Sequence, residues 1–262
     1  FNASQPKFVE VPTDNGGLIP EELDKILETT PNCKFIYVIP DFQNPTGRTW
    51  SMERRQKFME VVNKHNLPVL EDNPYGELRY EGTILPSLKS MDTKGLVMFL
   101  GTFSKIFCPG LRLGWIAAEH SLLSEFVKIK QSADLHTSNF DQGVADAYME
   151  QYDLDEHVKE IVALYKHRRD LILESMEKYF PAGTEWTHPE GGLFLWLTFP
   201  EGVSARKVFN KCIEMKVAGV IGDAFYPNQK TDRSMRINYS NMPDDRIVEG
   251  IQRMAKAIKE CM

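Results

Sequence analysis

The sequence contains few cysteines and no long hydrophobic run. Its four cysteines, Cys33, Cys108, Cys212 and Cys261, are scattered over 262 residues and include no Cys-X-X-Cys pair. In a chain of this length such spacing is typical of reduced thiols, so we expect a cytoplasmic protein. No apolar segment reaches the length that a bilayer-spanning helix needs, and we therefore expect no membrane partner.

The sequence also lacks a metal-ligand pattern and an excess of positive charge. Its six histidines show neither an HXXXH motif nor a His/Cys ligand spacing, so we expect no metal site. Lys and Arg number 31 against 37 Asp and Glu, which gives a formal net charge of −6 at pH 7. This balance argues against a broad nucleic-acid surface, so we expect no nucleic acid on this chain.

The apolar segments that are present predict an α/β fold. Short apolar runs at 35–39, 67–72, 96–100 and 113–118 are each bounded by turn-forming residues. Such runs, separated by helices or long loops, are typical of a largely parallel sheet that is buried on both faces. The loop 101–112 is too short for a helical crossover, so the last strand is expected to run antiparallel.

Helical patterns occupy the segments between these runs and much of the chain after them. Pro20, with two glutamates after it, marks a helix N-terminus, and Ser51 is a good N-cap for the next helix. Beyond about residue 181, strand-like and helical segments alternate and indicate a small α+β unit. We therefore expect a partial large domain over residues 1–160 and a small C-terminal domain over 161–262.

Polar residues follow the ends of the predicted parallel strands. In chain order they are Asn44, Asp72, Tyr75, Thr102, Ser104, Lys105 and, across the next turn, Arg112. In open parallel sheets, ligands bind beyond the carboxyl ends of the strands. If the strands are neighbours, these side chains share one rim.

The chemistry of these residue types complements pyridoxal 5′-phosphate (PLP). A desolvated lysine amine forms an imine with an aldehyde, and a carboxylate keeps a pyridine nitrogen protonated. An amide and a phenol can bond a ring oxygen, while hydroxyls and a guanidinium suit a phosphate. Taken singly, Lys105 is an ordinary surface lysine and Arg112 is half of an ion pair. Their occurrence together, in this order, favours the cofactor.

Five ordered motifs carry a resemblance to a known family. They are NPTG (44–47), EDNPY (71–75), TFSK (102–105), PGLRLGW (109–115) and MRINYS (235–240). Through them the chain resembles the class I/II aminotransferases of PLP fold type I, nearest the aminoadipate and kynurenine aminotransferases and the MocR-like regulators. The resemblance implies the C-terminal half of the large, mainly parallel-sheet domain, followed by a small α+β domain.

The resemblance implies a cofactor role for several candidates. Lys105 corresponds to the lysine that forms the Schiff base with PLP and then moves the proton between the substrate Cα and the cofactor. Asp72 corresponds to the carboxylate that pairs with the pyridinium nitrogen. Asn44 and Tyr75 correspond to the residues that bond the phenolic oxygen.

The remaining candidates correspond to residues that bind phosphate and substrate. Thr102, Ser104 and Arg112 match the family's phosphate-binding positions. Arg236, together with Asn44, matches the residues that take the substrate α-carboxylate. The segment 217–227 is expected to border the substrate pocket.

The implied activity is PLP-dependent transamination between an L-amino acid and a 2-oxo acid, carried out by a homodimer. Two alternatives stay open: the PLP- or amino-acid-sensing domain of a MocR-type transcriptional regulator, and a fold-type-I PLP lyase. The family's upstream phosphate loop and its ring-stacking aromatic residue have no substitute in residues 1–40. We therefore expect the chain to be a fragment that is poorly active by itself.

Overall fold

The computed structural model describes residues 5–228 and 232–262, which divide into two compact units. The parallel-sheet unit comprises residues 13–41 and 49–163. The antiparallel-sheet unit comprises the other described residues and includes the segment 42–48. The expected division into domains at residue 160 stays a prediction.

Helices and strands make up most of both units. The parallel-sheet unit contains β1 (Thr13–Asp14), β2 (Gly17–Leu18), α1 (Pro20–Thr29), β3 (Ile36–Val38), α2 (Met52–His65), β4 (Val69–Asp72), α3 (Leu88–Met91), β5 (Val97–Thr102), β6 (Gly114–Ala117), α4 (His120–Ala133) and α5 (Asn139–Gln151). The chain continues through α6 (Leu154–Tyr179). The antiparallel-sheet unit contains β7 (Glu185–Trp186), β8 (Phe194–Thr198), α7 (Ala205–Glu214), β9 (Val220–Ile221), β10 (Ser234–Asn238) and α8 (Asp244–Cys261).

The main sheet of the parallel-sheet unit has the strand order β3-β4-β5-β6. β3, β4 and β5 are parallel and β6 is antiparallel to β5, so the predicted sheet and its antiparallel last strand are confirmed. Tyr37 pairs with Leu70 in the register of β3 and β4. Because side chains alternate along a strand, Tyr37, Leu70 and Asp72 lie on the same face.

The two faces of this sheet differ in burial. Val69 and Glu71 are fully buried on one face, whereas Leu70 and Asp72 on the other are half-buried and Tyr37 is 43% exposed. Met98, which pairs with Leu70 on the second face, is buried, so the expected burial of both faces is met only in part on the second face. A run of apolar residues shows that a strand avoids water, but it does not show what covers each side.

Local sequence explains where the first helices begin and end. α1 begins at Pro20, as predicted, with two glutamates in its first turn. α2 follows Ser51, whose hydroxyl accepts the Arg54 N–H at 3.2 Å. It ends at Asn66, which adopts the left-handed conformation that often terminates helices. None of the described helices has the length and apolar character needed to cross a membrane.

A four-stranded sheet, ordered β7-β8-β10-β9, forms the centre of the antiparallel-sheet unit. All its strand pairs are antiparallel. Leu195 and Leu197 of β8 are fully buried, which shows why this segment is apolar. The α+β arrangement predicted for the end of the chain is confirmed. Arg236 lies in the inner strand β10, where it pairs with Trp196 and Val220.

Candidate active site

The carboxyl ends of β4 and β5 bring several predicted residues to one edge of the parallel sheet. β4 ends at Asp72 and the adjacent β5 ends at Thr102. The Asn73 N–H donates to the Leu100 carbonyl at 3.0 Å, so the two strands stay paired to their ends. Lys105 follows β5 in the next turn, at the same edge.

Lys105 is half-buried, and its ammonium has no hydrogen-bond acceptor or ion-pair partner among residues 5–228 and 232–262. Its turn is closed by the Phe107 N–H, which donates to the Phe103 carbonyl at 2.9 Å. A partly desolvated amine without a counter-ion gains little stability from its position. A half-buried amine without a partner does, however, suit the role of a nucleophilic lysine.

Thr102 and Ser104 form a fixed pair of hydroxyls beside this lysine. Thr102 Oγ1 accepts the Ser104 N–H at 3.0 Å and lies 3.0 Å from Ser104 Oγ. Thr102 Oγ1 also lies 3.1 Å from the Leu113 carbonyl oxygen at the start of the returning strand. Both hydroxyls are half-buried, so they are held in place and yet accessible to an oxyanion.

Arg112 is the most exposed of the predicted cofactor residues. It follows the short 3-10 helix Pro109–Leu111 and has a left-handed backbone with φ +55°, which is uncommon for a residue other than glycine. Its Nη1 donates to the Pro109 carbonyl at 3.0 Å. Within the described part of the chain its other N–H groups have no partner, so they are available to an anion.

Asp72 is held by a tyrosine that sequence reasoning missed. The Tyr37 hydroxyl donates to Asp72 Oδ2 at 2.5 Å. Burial and this hydrogen bond raise the pKa of Tyr37 far above its usual range, so the phenol keeps its proton. The alternation of the run FIYVI could have placed Tyr37 on one face of its strand, but its pairing with Leu70 was needed to place it beside Asp72.

Tyr75 lies in the loop after β4 and is buried, with an exposed fraction of only 4%. This loop is a tight turn in which Asn73 Oδ1 accepts the Gly76 N–H at 2.9 Å and the Tyr75 carbonyl accepts the Leu78 N–H at 2.8 Å. Tyr75 is close enough to Tyr37 to contribute to the raised pKa of that residue. The phenol of Tyr75 therefore belongs to the same polar cluster as Asp72.

In the antiparallel-sheet unit, Arg236 and Asn44 are in direct contact. Arg236 Nη1 donates to Asn44 Oδ1 at 2.7 Å. The guanidinium carbon lies 4.1 Å from the ring centroid of Phe194 and 5.0 Å from that of Phe225. Sequence reasoning missed both rings individually, although Phe225 lies in the segment 217–227 that was expected to border the pocket. The rings and the amide together restrict the orientation of the guanidinium.

The turn that carries Asn44 requires glycine at position 47. Gly47 has φ +69°, and a Cβ atom there would lie 2.4 Å from the Phe194 carbonyl oxygen. Its N–H donates to the Gln43 carbonyl at 2.6 Å, and the Asn44-Pro45 peptide is cis. The glycine thus lets this turn approach β8 closely, which sets Asn44 within reach of Arg236.

The chain is similar to a family of known proteins and to several of its members. The family described as aminotransferase class I and II matches residues 1–254. Aromatic-amino-acid aminotransferase 1 of Thermococcus litoralis is 42% identical over 100% of this chain and 64% of its own length. The 2-aminoadipate transaminase of Thermus thermophilus is 31% identical over 99% of this chain and 66% of its own length.

Solved structures show the same likeness. The crystal structure of Pyrococcus horikoshii kynurenine aminotransferase, in complex with PMP, has a TM-score of 0.95 and 40% identity. That comparison covers 99% of this chain and 65% of the other, so the chain spans about two thirds of the length of the proteins it matches. The fold is that of the fold-type-I PLP enzymes. By sequence and by structure, the chain belongs to the class I and II aminotransferase family.

Proposed function

We propose that the protein catalyses PLP-dependent transamination between an L-amino acid and a 2-oxo acid. The observation that carries the proposal is Lys105, half-buried at the carboxyl edge of the parallel sheet with no partner for its ammonium among the described residues. Membership of the aminotransferase family supports it. The names of the relatives support it as well, since they are aminotransferases from several organisms.

The residue types at the sheet edge fit PLP. When bound, PLP supplies an aldehyde and an electron-withdrawing ring that stabilises negative charge at the substrate Cα. Asp72 supplies the carboxylate for the ring nitrogen and Tyr75 the donor for the phenolic oxygen. Thr102 and Ser104 supply hydroxyl donors for the phosphate, and Arg112 supplies the positive charge.

Lys105 has two tasks in this proposal. Its amine would hold the cofactor at the aldehyde carbon, with the aldehyde oxygen leaving as water, and as a free base it would carry the proton from the substrate Cα to the cofactor. The hydroxyl pair of Thr102 and Ser104 precedes it in the same turn, so phosphate binding and lysine placement are coupled through a few residues of backbone. The role of Asn44 at the phenolic oxygen stays a prediction.

Arg236 and Asn44 are proposed to bind the substrate α-carboxylate. A guanidinium binds a carboxylate through two parallel hydrogen bonds, which orients the Cα–H bond for removal. Amino acids and 2-oxo acids both carry this carboxylate, so one arginine serves both half-reactions. Aromatic L-amino acids are the first substrates to test, because the Thermococcus litoralis relative is named for them.

We also propose that the intact protein is a cytoplasmic homodimer. The family resemblance supports dimerisation. The four cysteines are unpaired in the structure, which agrees with a reducing compartment. Gel filtration with light scattering on the intact protein tests the dimer, and a monomer at micromolar concentration would contradict it.

The proposed function is tested by replacing Lys105 in the intact protein. Lys105→Ala should lose the absorbance band of lysine-bound PLP and the turnover together, while the exposed Lys207→Ala keeps both. Retention of either property by Lys105→Ala would overturn the proposal.

Product analysis separates the alternatives: a transaminase forms a new amino acid and a 2-oxo acid, whereas a lyase releases ammonia. A PLP-binding protein without either activity, preceded by a basic helical segment, would indicate the regulator.

A further inference from the structure

We infer that Tyr37 is a positioning residue for the cofactor, because its hydroxyl fixes the Asp72 carboxylate that would face the ring nitrogen of PLP. The inference rests on the proposed function and deepens it. It adds a residue that lies outside the five sequence motifs, on a strand that carries no other candidate.

Strand register brings Tyr37 close to Asp72. β3 and β4 are neighbouring parallel strands in which Tyr37 pairs with Leu70. Asp72 is two residues further along β4, on the same face as Leu70. A diagonal neighbour of this kind is within reach of a long aromatic side chain. The Tyr37 hydroxyl covers this distance and donates to Asp72 Oδ2 at 2.5 Å.

The two oxygens of the Asp72 carboxylate differ in their partners. Tyr37 occupies Oδ2, and in the described part of the chain Oδ1 accepts no hydrogen bond. A carboxylate with one oxygen held by a donor has a restricted orientation, and its second oxygen can accept a proton-bearing ring nitrogen. Hydrogen bonds to a carboxylate are stronger than those to a neutral acceptor, so the phenol is a firm anchor for Oδ2.

Packing alone does not explain why a tyrosine stands at position 37. Tyr37 is 43% exposed, on the less buried face of the sheet, so much of its ring lies outside the packed core. The phenol also stays protonated at neutral pH, because burial of its hydroxyl and the bond to Asp72 both raise its pKa. A protonated phenol is the donor that an ionised carboxylate needs.

The test is Tyr37→Phe in the intact protein, with PLP binding followed by absorbance. The variant keeps the ring and removes the donor, so we expect the dissociation constant of PLP to rise about tenfold or more. kcat is expected to fall with the KM of the amino acid nearly unchanged, since the pair acts on the ring nitrogen. Tyr152→Phe is the control, because Tyr152 stacks on Tyr148 at 5.1 Å and is 62% exposed.

A double-mutant cycle with Asp72→Asn separates positioning from structure. If Tyr37 acts through Asp72, adding Tyr37→Phe to Asp72→Asn should cost no further PLP affinity. Additive losses, or unchanged PLP binding in Tyr37→Phe, would overturn the inference while leaving the proposed function intact. A thermal midpoint for the apo-variant far below that of the wild type would overturn it too, because it would show a structural role. Failure of the wild type to bind PLP would overturn both.

Discussion

Arg236 donates to Asn44 at 2.7 Å although the two residues are 192 positions apart in the sequence. Arg236 lies in an inner strand, so hydrogen bonds on both sides fix its backbone. Asn44 lies in a turn that Gly47 allows to approach β8. The guanidinium is therefore oriented before any ligand binds, and preorganisation of this kind lowers the entropic cost of binding.

Replacing this arginine by lysine should impair substrate binding and leave the cofactor in place. Arg236→Lys keeps the charge but loses the planar, bidentate geometry, so we expect the KM of the amino acid to rise about tenfold to a hundredfold. PLP affinity should not change. Steady-state kinetics and a PLP titration of the intact protein measure the two quantities. Arg246→Lys, on an exposed arginine that bonds Glu249 at 2.9 Å, is the control, and an equal KM in both variants would refute the assignment.

The aromatic rings around Arg236 should contribute to the same affinity. Phe225 contacts the guanidinium at 5.0 Å and is itself supported by an edge contact with Trp196 at 5.7 Å. Phe225→Leu keeps much of the apolar volume and removes the π face, so the KM should rise about threefold to thirtyfold. Phe225→Tyr retains the ring and should behave like the wild type. If the leucine and tyrosine variants have the same KM, the cation–π contact has no role.

The sequence predicts local features of this protein better than features that depend on strand register. The helix start at Pro20, the N-cap at Ser51 and the parallel strands follow from local patterns, and the structure contains each of them. The bond between Tyr37 and Asp72 depends on which strands are neighbours and on their register. Composition and periodicity show neither which strands are neighbours nor how the strands are registered. Motif resemblance nevertheless paired Asn44 with Arg236 in one predicted role, and the structure places these two side chains in contact. A family pattern records such tertiary contacts indirectly.

Even a single methyl group at position 47 should destabilise the protein. In Gly47→Ala the Cβ would meet the Phe194 carbonyl oxygen at 2.4 Å in a backbone conformation that alanine adopts poorly. We expect the free energy of unfolding to fall by roughly 1–3 kcal/mol and the substrate KM to rise as Asn44 is displaced.

The matched control for that variant is Gly143→Ala in α5, where an added Cβ meets no atom within 4 Å. There the substitution should stabilise the protein by about 0.5–1 kcal/mol, since alanine is the better helix former. Thermal unfolding of the two variants measures the contrast. Equal shifts of the same sign would show that the close approach at Gly47 is unimportant.

Glu71 should lower the stability of the protein as the pH rises, whereas most carboxylates lower it as the pH falls. It is fully buried and accepts the N–H groups of Leu88 and Lys89 at 2.8 Å, with Arg55 and Asp41 as its charged neighbours. Burial raises the pKa of Glu71 in the folded state, and the two N–H bonds and Arg55 offset this only in part. A raised carboxyl pKa means that the folded state binds the proton more tightly than the unfolded state. Its contribution to stability is complete below the unfolded pKa and is lost as the pH rises through the folded pKa.

The comparison of wild type with Glu71→Gln isolates this effect. The amide removes the titration and replaces one acceptor oxygen, so one of the two N–H bonds is lost at every pH, at a cost of roughly 1–3 kcal/mol. The advantage of the wild type over the variant should therefore shrink as the pH is raised from about 4 to 7, the range above the ordinary glutamate pKa. Denaturant midpoints of the intact protein at several pH values in that interval measure the difference. A difference that grows with pH would mean that the N–H bonds and Arg55 outweigh burial, and that Glu71 stabilises the fold as an anion.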